Sequence, residues 1–479
     1  MATRRTSTAS TSSVPGGAGP TALPWPFVRS LATLALAGVA VRVGIVLATP
    51  GWSLTTDGWR FFDLARSAMK GTAFIPPLYP AFIRAVWWVT GEGIAPVRFA
   101  QCLAGGLTVA LTGLLAARLA PDPARSVRAG KLAAAAAAFA PPLLFADVAV
   151  LSEGLTAFLL LAFLLLADRA ESRESRWAGG AAGLVAGLAV LMRAPLLLWV
   201  LVRWAAAAAS RGRAPGVRQR AALVAVAALA TIAPWTARNA ALFGRVIPVS
   251  SNGGYNFWKS FHPACEGTED SRGIDYTVLE GMPEADLDGW GYRQGLRFIQ
   301  RDPVRAVRLA ILKQGYFWGF ERLFAMGLRD GIWGRIPRPV GLAGVAAIGL
   351  TQLLWLFAAP AGLAAGRWGG LRRDTLLLVG WTALTHLVFI GEARYHAPLV
   401  PLLLAASAVT LVGGAGTGTV RGWNRRRLAG VTAALALPVL LFWGFEIALQ
   451  CPEAASLIAR PGGEVGSAAS PQQASVPAR

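Results

Sequence analysis

The sequence predicts an all-α protein that crosses a membrane several times. Its 479 residues are 54% hydrophobic and only 15% charged, and the mean hydropathy is +0.49. Soluble domains of ordinary composition carry about 25% charged residues. Apolar stretches long enough to cross about 30 Å of hydrocarbon recur along the chain. These observations exclude an ordinary soluble enzyme and predict a polytopic membrane protein.

The formal charge of +21 lies mainly in short arginine-rich loops between the apolar stretches. This distribution is typical of cytoplasmic anchoring loops and does not indicate a nucleic-acid partner. If all of these loops face the cytoplasm, the chain crosses the membrane an even number of times between successive loops. The basic patches are the N-terminus, 118–131, 169–176, 203–220, and 367–373 with 421–427.

This rule predicts about eleven spans, with the N-terminus inside and the C-terminus outside. Four of them form two hairpins, in residues 132–168 and 177–202, and Pro195 breaks the helix at the turn of the second. The other predicted spans are roughly 27–49, 96–117, 221–238, 338–362, 374–391, 396–415 and 428–449.

Two segments, 50–95 and 239–337, are predicted to lie outside between spans. Apolar and charged residues alternate at helical spacing in 58–70 and 302–325, and residues 78–90 are too short to span a bilayer. These patterns predict amphipathic helices that lie on the outer membrane surface. Such a surface favours a site at the lipid boundary.

The remaining segments complete the predicted organisation. Residues 1–26 and 451–479 are rich in small and polar residues and are predicted to be disordered. Residues 416–450 are predicted to hold the last cytoplasmic loop and the final span.

Several motifs occur in an order known from one enzyme family. In chain order they are "TTDGWRFFDLARSAMKG" with "IPPLYPAFIRAV", "SEGLTAFLLLAFLL", "GLAVLMRAPLLL", "PWTARNAALFGRVIPVSSNGGYNFWKSFHP" and "RYHAPLVPLLLAA". Over about residues 27–415 the chain resembles membrane glycosyltransferases of the GT-C type, closest to glycosyltransferase family 39. That family contains protein O-mannosyltransferases and bacterial aminoarabinose transferases of lipid A.

The resemblance implies a polytopic enzyme that uses a polyprenyl-phosphate sugar and has a helix-rich domain on the extracytoplasmic face. It also implies an acidic catalytic base in the first outer loop, which corresponds to Asp57. Two positions depart from the family pattern. Gly58 stands where many members have Glu, and Ile75 stands where the aminoarabinose branch has Lys. The sugar and the acceptor therefore stay open.

Asp57 also has an ordinary structural interpretation, because Asp is a preferred helix N-cap. With a lipid-linked donor, the anomeric carbon lies at the membrane interface while the prenyl tail stays in the bilayer. An aspartate just above the membrane would take the proton from an acceptor hydroxyl as its oxygen attacks C1. We expect burial among Trp and Phe to raise its pKa, and we expect a single inverting displacement.

Other candidate residues are acids and phosphate ligands. Glu153 either interacts with a helix dipole or acts as a second acid that steers the acceptor or holds a metal, a role for which Asp147 competes. Arg193 either snorkels towards the interface or binds the phosphate leaving group. Arg394 either forms a local ion pair with Glu392 or contacts the same phosphate.

Residues of the outer segments supply further candidates. Lys259 and His262 suit a phosphate. Tyr79, after Pro76-Pro77, belongs either to the scaffold or to a lipid or sugar contact. The other candidate sugar or lipid contacts are Asn256, Trp258 and Tyr395.

The sequence thus predicts a glycosyltransferase of the cell (inner or plasma) membrane with an extracytoplasmic active site. Its partners would be a polyprenyl-phosphate sugar donor, membrane lipids, and a protein, lipid or glycan acceptor. A divalent cation is neither required nor excluded. The alternatives are a transporter or flippase, which would favour internal repeats and mid-membrane charges, a non-catalytic assembly subunit, and another GT-C enzyme.

Overall fold

The computed structural model describes residues 24–209, 215–269, 273–329, 331–334, 336–367, 369–413 and 425–459. Within these ranges the chain forms helices and connecting turns and no β-strand. The predicted all-α fold is confirmed.

The first half of the chain contains ten helices among the described residues. They are α1 (Trp25–Ala48), α2 (Thr56–Arg66), α3 (Leu78–Thr90), α4 (Ile94–Leu119), α5 (Pro123–Phe139), α6 (Pro141–Val148), α7 (Glu153–Ser172), α8 (Arg176–Met192), α9 (Leu196–Ala209) and α10 (Pro215–Phe243).

Eight α-helices and two short 3-10 helices follow in the described part of the second half. The α-helices are α11 (Gly253–Phe261), α12 (Glu284–Arg301), α13 (Pro303–Phe317), α14 (Arg322–Arg329), α15 (Arg338–Ala365), α16 (Gly370–Val388), α17 (Val400–Gly413) and α18 (Arg425–Ala459). The 3-10 helices are Thr277–Leu279 and Ala393–Leu399.

All of the predicted spans fall on helices, but the count of eleven is not confirmed. Among the described residues, six segments are long and apolar enough to cross a membrane: α1, α4, α10, α15, Ala393–Gly413 and Ala429–Glu446. The bent pair of α5 and α6 would make a seventh. Charged residues at both ends of α7, and the short lengths of α8 and α9, keep these helices below that standard.

Helix boundaries follow local chemistry. Pro195 ends the α8 hairpin arm, because its ring cannot continue a helix, and Arg193 at the C-cap is extended. The side chain of Thr55 accepts a hydrogen bond from the Gly58 N–H and caps α2. The N-cap role considered for Asp57 is therefore wrong, because Thr55 is the N-cap of α2.

Small residues bring the helices of the bundle close together. A β-carbon at Gly183 or Gly187 of α8 would approach Ala227 or Thr231 of α10 within about 2.5 Å. Such contacts between small residues are typical of helix packing in membranes. They fix the end of α8, and with it Arg193, beside α10.

The segments predicted to lie outside form short helices. The buried face of α2 holds Phe62, whose ring meets Trp87 of α3 edge-on at 4.8 Å. The α13 helix buries Leu309 and Phe317 and exposes apolar residues on its other face. The amphipathic pattern predicted for these segments is confirmed.

The chain ends differ from the predicted boundaries. The first helix begins at Trp25, and α18 includes residues 451–459, which were assigned to a disordered tail. The predictions for residues 1–23 and 460–479 lie outside the described residues.

Candidate active site

Asp57 lies in the first turn of α2, and its carboxylate forms an ion pair with the chain segment that follows α16. Its Oδ2 is 2.7 Å from Nη1 of Arg394, 337 residues further along the chain. The side chain of Asp57 is 38% exposed and that of Arg394 is 15% exposed. The carboxylate is therefore reachable from solvent, whereas the guanidinium is largely enclosed.

The prediction of a local ion pair between Glu392 and Arg394 is wrong. Arg394 turns to Asp57, and Oε1 of Glu392 accepts a hydrogen bond from the backbone N–H of Glu269 at 3.2 Å. The two charged residues thus connect the 3-10 helix and its N-cap to two different parts of the chain, α2 and the segment that follows α11.

The prediction of a raised pKa for Asp57 is also wrong. Burial raises the pKa of Asp57. The Arg394 guanidinium lowers this pKa, with smaller contributions from Arg60 and Lys259, and together the three cations outweigh the effect of burial. The net result is a pKa below the ordinary value of 3.8. Surrounding cations therefore outweigh desolvation, and the paired carboxylate is a weak base.

A chain of hydrogen bonds continues from Arg394. Its Nη2 donates to the Tyr395 hydroxyl at 3.1 Å, and this hydroxyl donates to Oε1 of Glu269. Oε2 of Glu269 pairs with Nζ of Lys259 at 2.7 Å. Burial raises the pKa of Glu269, but Lys259 and Arg394 lower it more. Asp57, Arg394, Tyr395, Glu269 and Lys259 thus form one network of alternating charge.

A second arginine lies near the ring of Tyr395. Nη2 of Arg193 is 2.8 Å from Oε1 of Glu153, and its Cζ is 5.7 Å from the centroid of the Tyr395 ring. Cζ of Arg394 is 4.9 Å from the same centroid. In the described part of the chain, the buried Nε atoms of both arginines have no hydrogen-bond partner. Each is a donor that an anion could use.

Two acids near this network were missed by the sequence analysis. Glu269 lies in "CEGTED", where no local pattern separates it from its acidic neighbours. Glu321, between α13 and α14, is 4% exposed. Burial and the nearby Glu392 raise the pKa of Glu321 to about 7. Neither residue carries a sequence signal, because only the tertiary fold brings them to the arginines.

Two predicted site residues belong to the scaffold. Oδ2 of Asp147 pairs with Nε of Arg42 at 2.7 Å, and the two side chains are 3% and 0% exposed. Tyr79 is 1% exposed, and its hydroxyl donates to Oε1 of Gln101 at 2.9 Å. Neither group is accessible in this structure, so the second-acid role of Asp147 and the ligand contact of Tyr79 stay predictions that the geometry does not support.

The predicted site residues on and beside α11 have different environments, and only Lys259 belongs to the charged network. Trp258 is 2% exposed and is covered by other rings, so the structure does not support its predicted direct sugar contact. Nδ1 of His262 accepts the Ala264 N–H at 3.1 Å. Burial and Arg305 lower the pKa of His262, so it is neutral at pH 7 and a poor phosphate ligand. Asn256 is half-buried.

An apolar groove of about 340 Å³ lies beside the end of α8. Leu191 is one of its lining residues, two positions before Arg193. The groove is bounded by α3, α8 and α10 and is lined by Pro77, Leu78, Ala81, Leu191, Thr231, Pro234 and Trp235. It adjoins the chain segment that carries Arg193.

The described residues contain no group of three or more His, Cys, Asp or Glu side chains placed to bind a metal ion. The charged groups of the network instead pair with one another.

Lys313 of α13 supports the segment that carries Arg394. Its side chain is fully buried, and Nζ donates to the Val388 carbonyl at the end of α16 at 2.9 Å. The ammonium also lies 3.8 Å from the centroid of the Phe261 ring. A β-carbon at Gly391 would meet the Lys313 carbonyl at 2.0 Å, so only glycine allows this approach.

Replacing Lys313 with Met is expected to change how stability depends on pH. Burial lowers the pKa of Lys313 from 10.5 to about 7. Between these values the unfolded state binds a proton that the native state lacks, so wild-type stability rises with pH by up to about 1.4 kcal/mol per unit. Lys313→Met should lose this slope and exposed Lys70→Met should retain it, as measured by unfolding at pH 7–10. Equal slopes would contradict the shifted pKa.

Comparison with known proteins gives one family. Residues 75–237 match the family described as dolichyl-phosphate-mannose-protein mannosyltransferase. The match covers about a third of the chain and includes Glu153 and Arg193, while Asp57 and Arg394 lie outside it. The family resemblance predicted from the motifs is confirmed.

Among solved structures, the chain is similar to a crystal structure of the Archaeoglobus fulgidus oligosaccharyltransferase, tethered by a disulfide bond to an acceptor peptide containing the NVT sequon. The identity is 14% and the TM-score is 0.40, over 88% of this chain and 54% of that chain. The protein thus spans about half the length of this relative. No curated protein matches the chain.

Proposed function

We propose that this protein is an integral membrane glycosyltransferase of the GT-C type. It transfers a sugar from a polyprenyl-phosphate donor to an acceptor hydroxyl on the extracytoplasmic side, with inversion at C1. The observation that carries the proposal is the 2.7 Å contact between Asp57, on the first outer helix, and Arg394, beside a second arginine. The family match over residues 75–237 supports the donor class.

The donor spans two environments that adjoin at Arg193. Its prenyl chain lies in the apolar groove next to α8, which offers the hydrocarbon contacts that such a chain needs. Its phosphate lies against Arg193 and Arg394, whose buried Nε donors lack partners in the described residues. Arginine suits this role because its planar group donates paired hydrogen bonds to phosphate oxygens.

The reaction is one displacement. Asp57 accepts the proton of the acceptor hydroxyl while the oxygen forms a bond to C1 of the sugar. The bond from C1 to the phosphate oxygen breaks, and polyprenyl phosphate leaves with the electron pair. The two arginines stabilise the phosphate charge, which grows in the transition state.

Donor binding also activates the base. In the free protein the Arg394 guanidinium is the strongest influence that lowers the pKa of Asp57. When the donor phosphate takes hydrogen bonds from Arg394, the pKa of Asp57 rises towards its ordinary value. Donor binding thereby raises the basicity of the Asp57 carboxylate, which is too low for proton transfer in the free protein.

The test is transfer by the purified full-length chain in lipid nanodiscs. Radiolabelled polyprenyl-phosphate mannose and polyprenyl-phosphate arabinose are offered as donors with a mixture of peptide, lipid and saccharide acceptors. Labelled product from either donor supports the proposal. The same donors are also offered to the protein in sealed vesicles, where label that moves across the membrane without a new glycosidic bond would instead identify a transporter.

Arg193→Lys is expected to lower kcat/KM for the donor by about 10- to 100-fold, the effect of losing charge-assisted hydrogen bonds. Lysine keeps the charge opposite Glu153, so the fold is preserved, but it lacks the planar pair of donors. Arg245→Lys is the matched control, because Arg245 pairs with Asp286 on an exposed surface. Equal donor kinetics in both variants would exclude Arg193 from the phosphate site.

A further inference from the structure

A cluster of three aromatic rings joins α11 to the segment that follows α2. We call Phe74, Tyr255 and Tyr276 the aromatic wall. The ring of Tyr255 lies 5.5 Å from Phe74 and 6.5 Å from Tyr276, measured between centroids. All three rings are half-buried, so each keeps some surface exposed. Buried Trp258 packs behind Tyr255 and Tyr276 at 5.9 Å from each.

The aromatic wall is held rigidly. Glu284, at the start of α12, accepts hydrogen bonds from Thr72 Oγ1 at 2.7 Å, Ala73 N–H at 2.8 Å and Ser251 Oγ at 2.6 Å. These bonds join the segment before Phe74 to the segment before α11. Oδ1 of Asp288 also accepts the Gly254 N–H at 2.6 Å, which fixes the first turn of α11. The rings of Phe74 and Tyr255 therefore need little ordering when a ligand binds.

Charged groups connect the aromatic wall to the proposed base. Arg60 lies one turn after Asp57 on α2, and its Cζ is 5.8 Å from the centroid of the Phe74 ring. Arg60 acts electrostatically on both Asp57 and Tyr255, and Tyr276 acts on Lys259. Arg60 thus links the aromatic wall to the helix that carries the Asp57 carboxylate.

We infer that the aromatic wall is the acceptor subsite and that the acceptor is a saccharide. The inference rests on the proposed function. One face of a pyranose ring presents C–H groups that pack on aromatic rings, while its edge presents hydroxyls for Arg60, Lys259 and the tyrosine hydroxyls. A ring stacked on the aromatic wall directs one hydroxyl to Asp57.

The surroundings favour a saccharide over a peptide. Burial and the adjacent Tyr276 raise the pKa of Tyr255, so its hydroxyl remains a neutral donor for a sugar oxygen. Rings with neutral hydroxyls beside two cations match the mixed apolar and polar surface of a sugar.

The experiment compares acceptors with a fixed donor. The full-length protein in nanodiscs receives polyprenyl-phosphate mannose or arabinose, whichever is active, with an octyl mannobioside or a Ser/Thr-rich peptide. We expect transfer to the mannobioside. Tyr276→Leu should raise KM for this acceptor by about 3- to 10-fold, the effect of one aromatic contact, and leave KM for the donor unchanged.

Tyr292→Leu is the matched control, because Tyr292 packs on Phe257 of α11 outside the aromatic wall. It should leave both KM values unchanged. Transfer to the peptide alone, or equal acceptor KM values in Tyr276→Leu and Tyr292→Leu, would overturn the inference while the proposed function stands. Absence of transfer to any acceptor would count against the proposed function. Binding of the mannobioside, measured by saturation-transfer NMR, then decides the inference: loss in Tyr276→Leu alone supports it, and no binding to wild type overturns it.

Discussion

Asp57→Asn is expected to lower kcat for sugar transfer by about 10²- to 10⁴-fold, the usual contribution of a general base. The amide oxygen of asparagine can still accept the hydrogen bond from Arg394, so the positions of the two side chains are nearly preserved. It cannot take the proton of the attacking hydroxyl, and this proton then remains on the acceptor oxygen. The measurement is single-turnover transfer from the active polyprenyl-phosphate donor, with circular dichroism to verify folding.

Asp63→Asn provides a control on the same helix. Asp63 is 70% exposed in the side chain and pairs with Arg66 on the surface of α2, so its loss should leave transfer unchanged. If Asp57→Asn and Asp63→Asn transfer sugar equally well, Asp57 is not the base. A loss in Asp57→Asn that follows a loss of helicity would show a structural role instead.

The pH dependence gives a second measure of the same group. The lowered pKa of Asp57 keeps the carboxylate ionised at every pH above its ordinary value of 3.8. Since the ionised form is the base, kcat/KM of the free protein should show no acid limb from Asp57 above about pH 4. In the donor complex, where Arg394 is engaged by phosphate, the acid limb of kcat should lie at higher pH.

The sequence predicted the helices well because their signals are local. Apolar runs and the break at Pro195 are properties of neighbouring residues, and the short amphipathic segments carry their own period. Membrane crossing is less local. The α7 helix bears Glu153 at one end and Glu171 at the other, and only its neighbours in the bundle decide how such a helix is accommodated.

The sequence predicted the site residues that belong to a motif. It did not predict the residues that only tertiary packing brings to the site. Asp57, Arg193 and Arg394 were predicted from their motifs, and the fold places both arginines within 6 Å of the centroid of the Tyr395 ring. Glu269 has no distinguishing neighbourhood in the sequence. Trp258 has the right chemistry for sugar, but its burial depends on the rings of Tyr276 and Trp290 from two other segments.

The largest expected effect on stability comes from breaking the pair of Arg42 and Asp147. The Arg42 guanidinium donates to Asp147 at 2.7 Å and to the carbonyls of Gly38, Ala138 and Ala137 at 3.0, 3.2 and 3.4 Å. The pair is enclosed so closely that a β-carbon at Gly105 would lie 2.4 Å from Oδ2 of Asp147. The pair therefore joins α1 to α6 without contact with solvent.

Arg42→Met alone should destabilise the protein by about 3–5 kcal/mol, because it leaves a buried carboxylate without its cation. Arg42→Met with Asp147→Leu should recover most of this loss, since two apolar side chains replace the pair without an uncompensated charge. Thermal unfolding in detergent measures the stability, and transfer per folded molecule measures activity. A folded, stable double variant that no longer transfers sugar would support Asp147 as a second site acid. Retained transfer would assign the pair to the scaffold.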